Sequence, residues 1–150
     1  MAATRPVRPE DSNAWLAMRM ALWPEDTEAE HREEIEQFYA DRFPRWPWTV
    51  FLAEGASGQT EGFAEVSVRP YAQGCSSERV AYLEGWYVAP QARRRGVGRA
   101  LVQASEAWGR TQGCSEFASD ADAENDVSAA AHGALGFEDI GLVRCFRKDL

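Results

Sequence analysis

Long apolar runs are missing from this 150-residue chain. None approaches the roughly 20 residues that a membrane-crossing helix needs. The opening stretch, MAATRPVRPEDSNAW, contains no apolar segment of the kind found in a secretory leader. Histidine is scarce: His31 and His132 are unaccompanied by any CxxC or HExxH spacing, which argues against a metal site. Cysteine is scarce too. Cys75, Cys114 and Cys145 are odd in number and cannot all pair within the chain, so a reduced, cytoplasmic setting is expected. Positive charge is in deficit, with 16 Lys+Arg against 24 Asp+Glu and a formal net charge of −8. Nucleic-acid binders draw their affinity from neutralised phosphates, so neither nucleic acid nor a membrane surface is the expected partner. A cationic small molecule suits this balance better, although the same charge also serves plain solubility.

What is present suits one globular domain spanning residues 1–150. The composition is 45% hydrophobic and 27% charged, and there is no internal repeat, low-complexity tract or long linker. Thr4–Arg8 reads as a first strand. Asp11 or Ser12 caps a helix that continues through Trp15, Leu16, Met18, Ala21 and Leu22 and stops at Pro24. A second, acidic helix is expected over about Glu28 to Phe43. Trp48–Ala53 and Gly62–Val68 read as strands joined across the polar strip Gly55–Gly62. Val80–Val88 is a longer strand. The apolar positions Val97, Leu101, Ala104 and Trp108 set a helix over Val97–Gln112 that stops at Gly113. Glu116–Ser119 is a short strand, Val127–Leu135 a helix, and Leu142–Phe146 a last strand. The sum is a mixed α/β domain, an α+β arrangement with strands before and after one crossover helix.

The most informative stretch is Arg93-Arg-Arg-Gly-Val-Gly-Arg-Ala100, which follows a strand and opens a helix. Glycines let backbone N–H groups turn inward, and the helix N-terminus adds unpaired donors and a positive dipole end. Such a turn can hold a pyrophosphate. Four of the sixteen basic residues fall between Arg93 and Arg99, a local reversal of the chain's sign. It is not a Walker loop, because no Gly-Lys-Ser/Thr is present. Nor is it a dinucleotide fingerprint, because GxGxxG is incomplete.

Val88-Ala-Pro-Gln-Ala-Arg-Arg-Arg-Gly-Val-Gly-Arg-Ala-Leu101 resembles the acetyl-CoA-binding motif of the GNAT superfamily of N-acetyltransferases, with Arg93-x-x-Gly96-x-Gly98 in the motif positions. Asn125 followed by a helix ending in Leu135-Gly136-Phe137 matches a second motif. Leu22-Trp23-Pro24, Gly62-Phe63-Ala64, Tyr71 with Gly74-Cys75, Leu83-Glu84-Gly85, Ala118-Ser119-Asp120, Glu124-Asn125 and His132 through Phe137 resemble one branch, the aminoglycoside 6′-N-acetyltransferases. The resemblance implies the acyl-CoA N-acyltransferase fold, a central mixed β-sheet flanked by about four helices. It also implies acetyl-CoA as cosubstrate, direct attack of an amine on the thioester, and antibiotic resistance as the outcome. Members of this branch commonly form homodimers that share C-terminal strands, for which Gly141–Arg147 is the candidate segment.

By the same resemblance, Tyr87 and Val88 offer backbone groups to the pantetheine arm, and the Val88 N–H polarises the carbonyl. Arg93, Arg94, Arg95, Gly96, Val97, Gly98, Arg99 and Ala100 surround the pyrophosphate, and Asn125 bonds the arm or caps its own helix. Glu84 is out of place in an apolar strand unless it faces a wet cleft, where it is the candidate base for the incoming ammonium; otherwise it forms a salt bridge in the sheet. Asp120 is a candidate for binding substrate ammonium groups, with base catalysis as its second role. The superfamily often has a Tyr three residues before Leu-Gly-Phe; here that position is His132, the candidate for protonating the leaving thiolate.

Trp23 and Tyr71 match the branch pattern and could pack against sugar rings, and Trp46-Pro47-Trp48 could add an aromatic wall or belong to the core. Glu25–Asp41 holds eight acidic residues, and Glu116–Asp126 holds five with no basic residue between them. Acidic walls would attract a polycation. Other acceptors, such as a polyamine or a protein amine, keep the same fold, as does a non-catalytic acyl-CoA- or drug-binding module.

Overall fold

The computed structural model describes residues 2–41 and 46–150. It divides into two compact units, residues 1–119 and 120–150.

The first unit is built on a five-stranded sheet in the order β1-β2-β3-β4-β5. The strands are β1 (Ala3–Pro6), β2 (Trp48–Glu54), β3 (Thr60–Arg69), β4 (Val80–Val88) and β5 (Glu116–Ser119). All neighbours are antiparallel except β4 and β5, which are parallel and joined through α3 (Val97–Thr111). A parallel pair needs such a crossover, which accounts for the lone long helix between the last two strands.

Helices α1 (Ser12–Leu22) and α2 (Glu28–Tyr39) cover one face. Their core comprises Trp15, Leu16, Met18 and Ile35 against Val50, Leu52 and Phe63. α2 is polar on most of its surface, so its start depends on local chemistry. Thr27 and Glu30 form a capping box, with the Thr27 N–H donating to Glu30 at 2.7 Å and the Glu30 N–H donating to Thr27 Oγ1 at 3.2 Å. The helix ends at Tyr39 rather than near Phe43. Asp41 takes the left-handed conformation (φ 54°), which an α-helix cannot continue through, and Phe43 lies outside the described residues.

α3 covers the opposite face. A Cβ on Gly109 would lie 2.8 Å from the Ala81 Cβ, so the helix approaches β4 as closely as a glycine permits. Trp46 packs beside Val68, Ala81 and Cys114, while Trp48 packs edge-on against Phe38 at 4.8 Å. Both are therefore core residues rather than an aromatic wall.

The second unit contains α4 (Asp126–Ala134), capped by the Asn125 side chain, which accepts from the Ser128 N–H at 3.0 Å. The strand expected over Leu142–Phe146 is not formed. Residues 137–150 have no regular secondary structure, and Leu142, Val143 and Phe146 are exposed. A strand draws its stability from a paired neighbour, and none among the described residues pairs with this segment.

Candidate active site

The register between β3 and β4 slips at one point. Gly85 lies opposite Glu65 and Leu83 opposite Val66, so Glu84 is the extra residue of a β-bulge. The bulge changes which side chains share a face. Leu83 and Trp86 point to the α3 side, where the Trp86 indole N–H donates to the Gly98 carbonyl at 3.2 Å. Glu84 and Gly85 both point to the α1–α2 side. A Cβ on Gly85 would lie 2.6 Å from the Trp23 ring, so Trp23, at the end of α1, rests on the strand backbone beside Glu84.

Trp23 is fixed by a buried polar cluster. The Arg19 guanidinium sits 4.9 Å from its ring centroid, and the His31 ring stacks on it at 6.4 Å. Arg19 Nη1 and the Trp15 indole N–H donate to the same oxygen of Glu65, at 2.6 and 2.9 Å. Arg19 also pairs with Glu34. Burial pushes the Glu65 carboxyl up to about 7, with the desolvation penalty outweighing the nearby Arg19.

Glu84 itself is engaged. Its Oε1 accepts from Ser67 Oγ at 2.6 Å and from Arg69 Nε at 2.8 Å, and its Oε2 accepts from Arg69 Nη2 at 2.5 Å. The salt-bridge reading of Glu84 is therefore realised in this structure. The pair is partly open to solvent, with the Arg69 side chain 42% exposed and that of Glu84 29%. The Arg69 guanidinium lies 3.6 Å from the Tyr82 ring centroid. Tyr71 follows β3, is largely exposed, and donates its hydroxyl to Gln73 at 3.2 Å.

Beyond the bulge, the ladder decides which backbone groups face a ligand. The Ala89 N–H donates to the Glu61 carbonyl at 2.8 Å, so Gly62 and Val88 form a non-hydrogen-bonded pair and Phe63 and Tyr87 a hydrogen-bonded one. The Val88 N–H therefore points away from β3, toward the side on which β5 pairs with β4 only as far as Leu83. Tyr87 has Phe63 as its partner in the ladder, and its ring packs 6.1 Å from the Phe63 ring.

The turn into α3 has the shape its glycines suggested. Arg94 (φ 63°) and Gly96 (φ 83°) are left-handed, and among the described residues no side chain caps α3, whose first N–H groups have no intrahelical carbonyl to meet. Arg93, Arg94, Arg95 and Arg99 are all exposed, but two are tied within the protein. Arg93 Nε donates to the Val88 carbonyl at 2.9 Å, and Arg95 Nη2 donates to Glu61 at 2.6 Å. Val97 is buried, so only its backbone can meet a phosphate. Gly98 also sits close against the core, since a Cβ there would lie 3.0 Å from the Trp86 ring. Exposed arginines, an uncapped helix start and an outward Val88 N–H together suit an extended, phosphate-bearing thioester.

The remaining candidates lie in the second unit. Asp120 is the next residue after β5. Asp122, Ala123, Glu124 and Asn125 line a shallow concavity of about 650 Å³. Asn125 Oδ1 is occupied by its capping bond, leaving its amide nitrogen as the donor it can offer a ligand. His132 Nδ1 lies 2.7 Å from the Ser128 carbonyl oxygen, a contact that places the ring proton on Nδ1. Of the five acidic residues in Glu116–Asp126, Glu116 serves the fold. It accepts from the Ser76 and Ser77 N–H groups, and the Ser77 bonds hold its carboxyl below the usual range.

Comparison with known proteins agrees with this geometry. The acetyltransferase (GNAT) family pattern matches residues 15–137. The chain belongs to the GNAT acetyltransferase family. It is 53% identical over 146 residues to the aminoglycoside N(6′)-acetyltransferase type 1 of Klebsiella aerogenes, covering 97% of this chain and 95% of that one. It is 46% identical over 147 residues to the enzyme of the same name from Stenotrophomonas maltophilia, covering 97% and 92%. Among solved structures, AAC(6′)-Iy in complex with the bisubstrate analogue CoA-S-monomethyl-acetylneamine superposes with a TM-score of 0.91 at 34% identity, over 100% of this chain and 99% of the other. AAC(6′)-Ih from Acinetobacter baumannii superposes with a TM-score of 0.91 at 36% identity, over 100% and 99%.

The sequence reading missed Glu61, Ser67 and Arg69. Each acts through a partner on another strand or turn, and no local spacing signals such a pairing.

Proposed function

We propose that this protein is an acetyl-CoA-dependent aminoglycoside 6′-N-acetyltransferase, an activity that inactivates the antibiotic and confers resistance. The carrying observation is the arrangement on β4, where a bulge turns Glu84 toward the Trp23 side and the Val88 N–H points off the sheet a few residues further on. One strand thus offers a carboxylate for the amine and a donor for the carbonyl, the two needs of acyl transfer to an ammonium substrate. Relatives at 53% and 46% identity over nearly the whole chain carry the same activity in their names.

Acetyl-CoA supplies the acetyl group as a thioester. The residue 93–100 turn binds its phosphates chiefly through backbone N–H groups, with Arg94 and Arg99 as its side-chain cations and Arg93 and Arg95 bonded to Val88 and Glu61. Val88 N–H bonds the thioester carbonyl oxygen and strengthens that bond as negative charge develops. Glu84 binds the 6′-ammonium and takes its proton, directly or through a water, once the guanidinium of Arg69 yields its place. Trp23 packs against a sugar ring, and Tyr71 is a second aromatic contact. Asp120 binds a further ammonium. Asn125 meets the pantetheine arm through its amide nitrogen. His132 is the candidate for protonating the leaving thiolate: with Nδ1 donating to the Ser128 carbonyl, the imidazolium carries its transferable proton on Nε2.

The finer assignments belong to the same reading. Residues 1–150 act as one catalytic domain, with neither nucleic acid nor membrane as partner. The thiols Cys75, Cys114 and Cys145 and the nature of the donor suit the cytoplasm. The unpaired, apolar segment after α4 suits a homodimer in which a second copy covers it.

The test is thiol release from acetyl-CoA with a panel of aminoglycosides, including one with a 6′-hydroxyl in place of the amine. Turnover with the 6′-amino compounds and none with the hydroxyl analogue is expected. Turnover with neither, despite acetyl-CoA binding, sends the search to polyamine or protein amines.

A further inference from the structure

Arg95 stands in the turn that the proposed function gives to the donor's phosphates, yet its guanidinium is committed to the protein. Its partner, Glu61 at the start of β3, is the better hidden of the two: the Glu61 side chain is 7% exposed and that of Arg95 58%. Glu61 reaches the turn twice. Its carbonyl accepts from the Ala89 N–H at 2.8 Å, where β4 ends, and its Oε1 accepts from Arg95 Nη2 at 2.6 Å, just before Gly96 opens α3. Gln59 adds a bond to the same oxygen at 3.2 Å. The β2–β3 hairpin closes over the carboxylate so tightly that a Cβ on Gly55 would lie 2.5 Å from it.

A buried carboxylate is costly unless a cation answers it, and this cation comes from the turn itself. The turn also needs support, because Arg94 holds a left-handed conformation that a residue with a Cβ adopts reluctantly. One residue grips both ends of a strained segment. We propose that Glu61 is a positioning residue for the acyl donor. In this role Arg95 is a strut rather than a phosphate ligand, and the Glu61–Arg95 pair presents the turn's backbone N–H groups already shaped for the donor. The inference rests on the turn being the donor's phosphate site.

The experiment measures the Kd of coenzyme A by calorimetry and the amide hydrogen exchange of residues 93–98 in the ligand-free protein. The variants are Glu61→Gln, Arg95→Met and the double variant. Each single variant is expected to weaken coenzyme A about tenfold, the double variant no further, as for two halves of one interaction. Exchange at residues 93–98 accelerates in all three, while neamine affinity stays at the parent value. Tighter coenzyme A binding by Glu61→Gln overturns the proposal, because it would show Arg95 to be a phosphate ligand held back by Glu61. Unchanged affinity and exchange in Arg95→Met overturn it as well, and this variant leaves the buried residue in place should Glu61→Gln not fold. Arg94→Glu separates the underlying reading: if coenzyme A binds that variant normally, the turn is not the phosphate site and the proposal falls with it. Weakened binding there beside a normal Glu61→Gln removes Glu61 alone.

Discussion

Arg69 holds both oxygens of Glu84, at 2.8 Å through Nε and 2.5 Å through Nη2. The candidate base therefore carries a cation before any substrate arrives. A planar guanidinium in this two-point grip fixes the orientation of the carboxylate. An incoming ammonium has to replace at least one of those contacts. Partly exposed ion pairs contribute about 1 kcal/mol or less, which corresponds to a factor of roughly five in affinity. Arg69→Ala is thus expected to lower the aminoglycoside KM by up to about fivefold, and Arg69→Lys by less. Steady-state kinetics at saturating acetyl-CoA checks this. A raised KM in Arg69→Ala would mean that Arg69 stays on Glu84 when the substrate is bound.

Gly85 and Trp23 give a second prediction. The bulge turns Gly85 toward α1, and its missing Cβ leaves room for the indole, which would otherwise be 2.6 Å away. Gly85→Ala must push back Trp23, and with it the Arg19–His31 cluster that stacks on it. Overpacking of this kind costs about 1–3 kcal/mol. Urea unfolding should show that loss, and aminoglycoside binding should weaken more than coenzyme A binding. Trp23→Ala is the control: if Trp23 contacts a sugar, it weakens aminoglycoside binding without the overpacking cost.

What the sequence made legible follows the range of the interactions involved. The order of the elements came from local periodicity, and the phosphate turn from a contiguous Arg-Gly stretch beside a strand. Glu84 stood out because a carboxylate interrupts an apolar strand. Its bulge did not, because a slip of register is a property of two strands, and neither Val80–Val88 nor Thr60–Arg69 shows it alone. Arg69 and Glu61 were invisible for the same reason, their partners lying 15 and 34 residues away in the chain. Leu142–Phe146 misled in the opposite direction. Its composition suits a strand, but composition does not supply the neighbour a strand must bond to.

Glu65 sets a pH dependence whose sign can be derived. Its carboxyl is raised from 4.5 to about 7 by burial. Between those values the folded protein holds a proton at Glu65 that the unfolded chain has released, so this group's contribution to stability is full below about 4.5 and is lost as pH rises toward 7. Glu65→Gln keeps the shape and cannot ionise. Relative to this variant, the parent should lose stability as pH rises through that window, with little further change above it. Thermal or urea unfolding of both proteins at several pH values checks the slope. A difference that is flat, or that moves in the parent's favour, would show that Arg19 outweighs burial.

The segment after α4 carries the last prediction. Leu142 is 78% exposed, Val143 68% and Phe146 92%. Fully burying a side chain of this kind is worth about 1.5–3 kcal/mol, a gain left unclaimed by a segment with no strand partner. Pairing with a second copy would satisfy its backbone groups and cover these side chains at once. Sedimentation is expected to give a dimer for the parent protein. Leu142→Asp with Phe146→Asp should shift it toward monomer, because two carboxylates cannot enter an apolar contact without a partner charge. The double variant changes exposed positions, so its secondary structure should match the parent's by circular dichroism. A parent that sediments as a monomer at micromolar concentration would remove the dimer and leave residues 137–150 without that role.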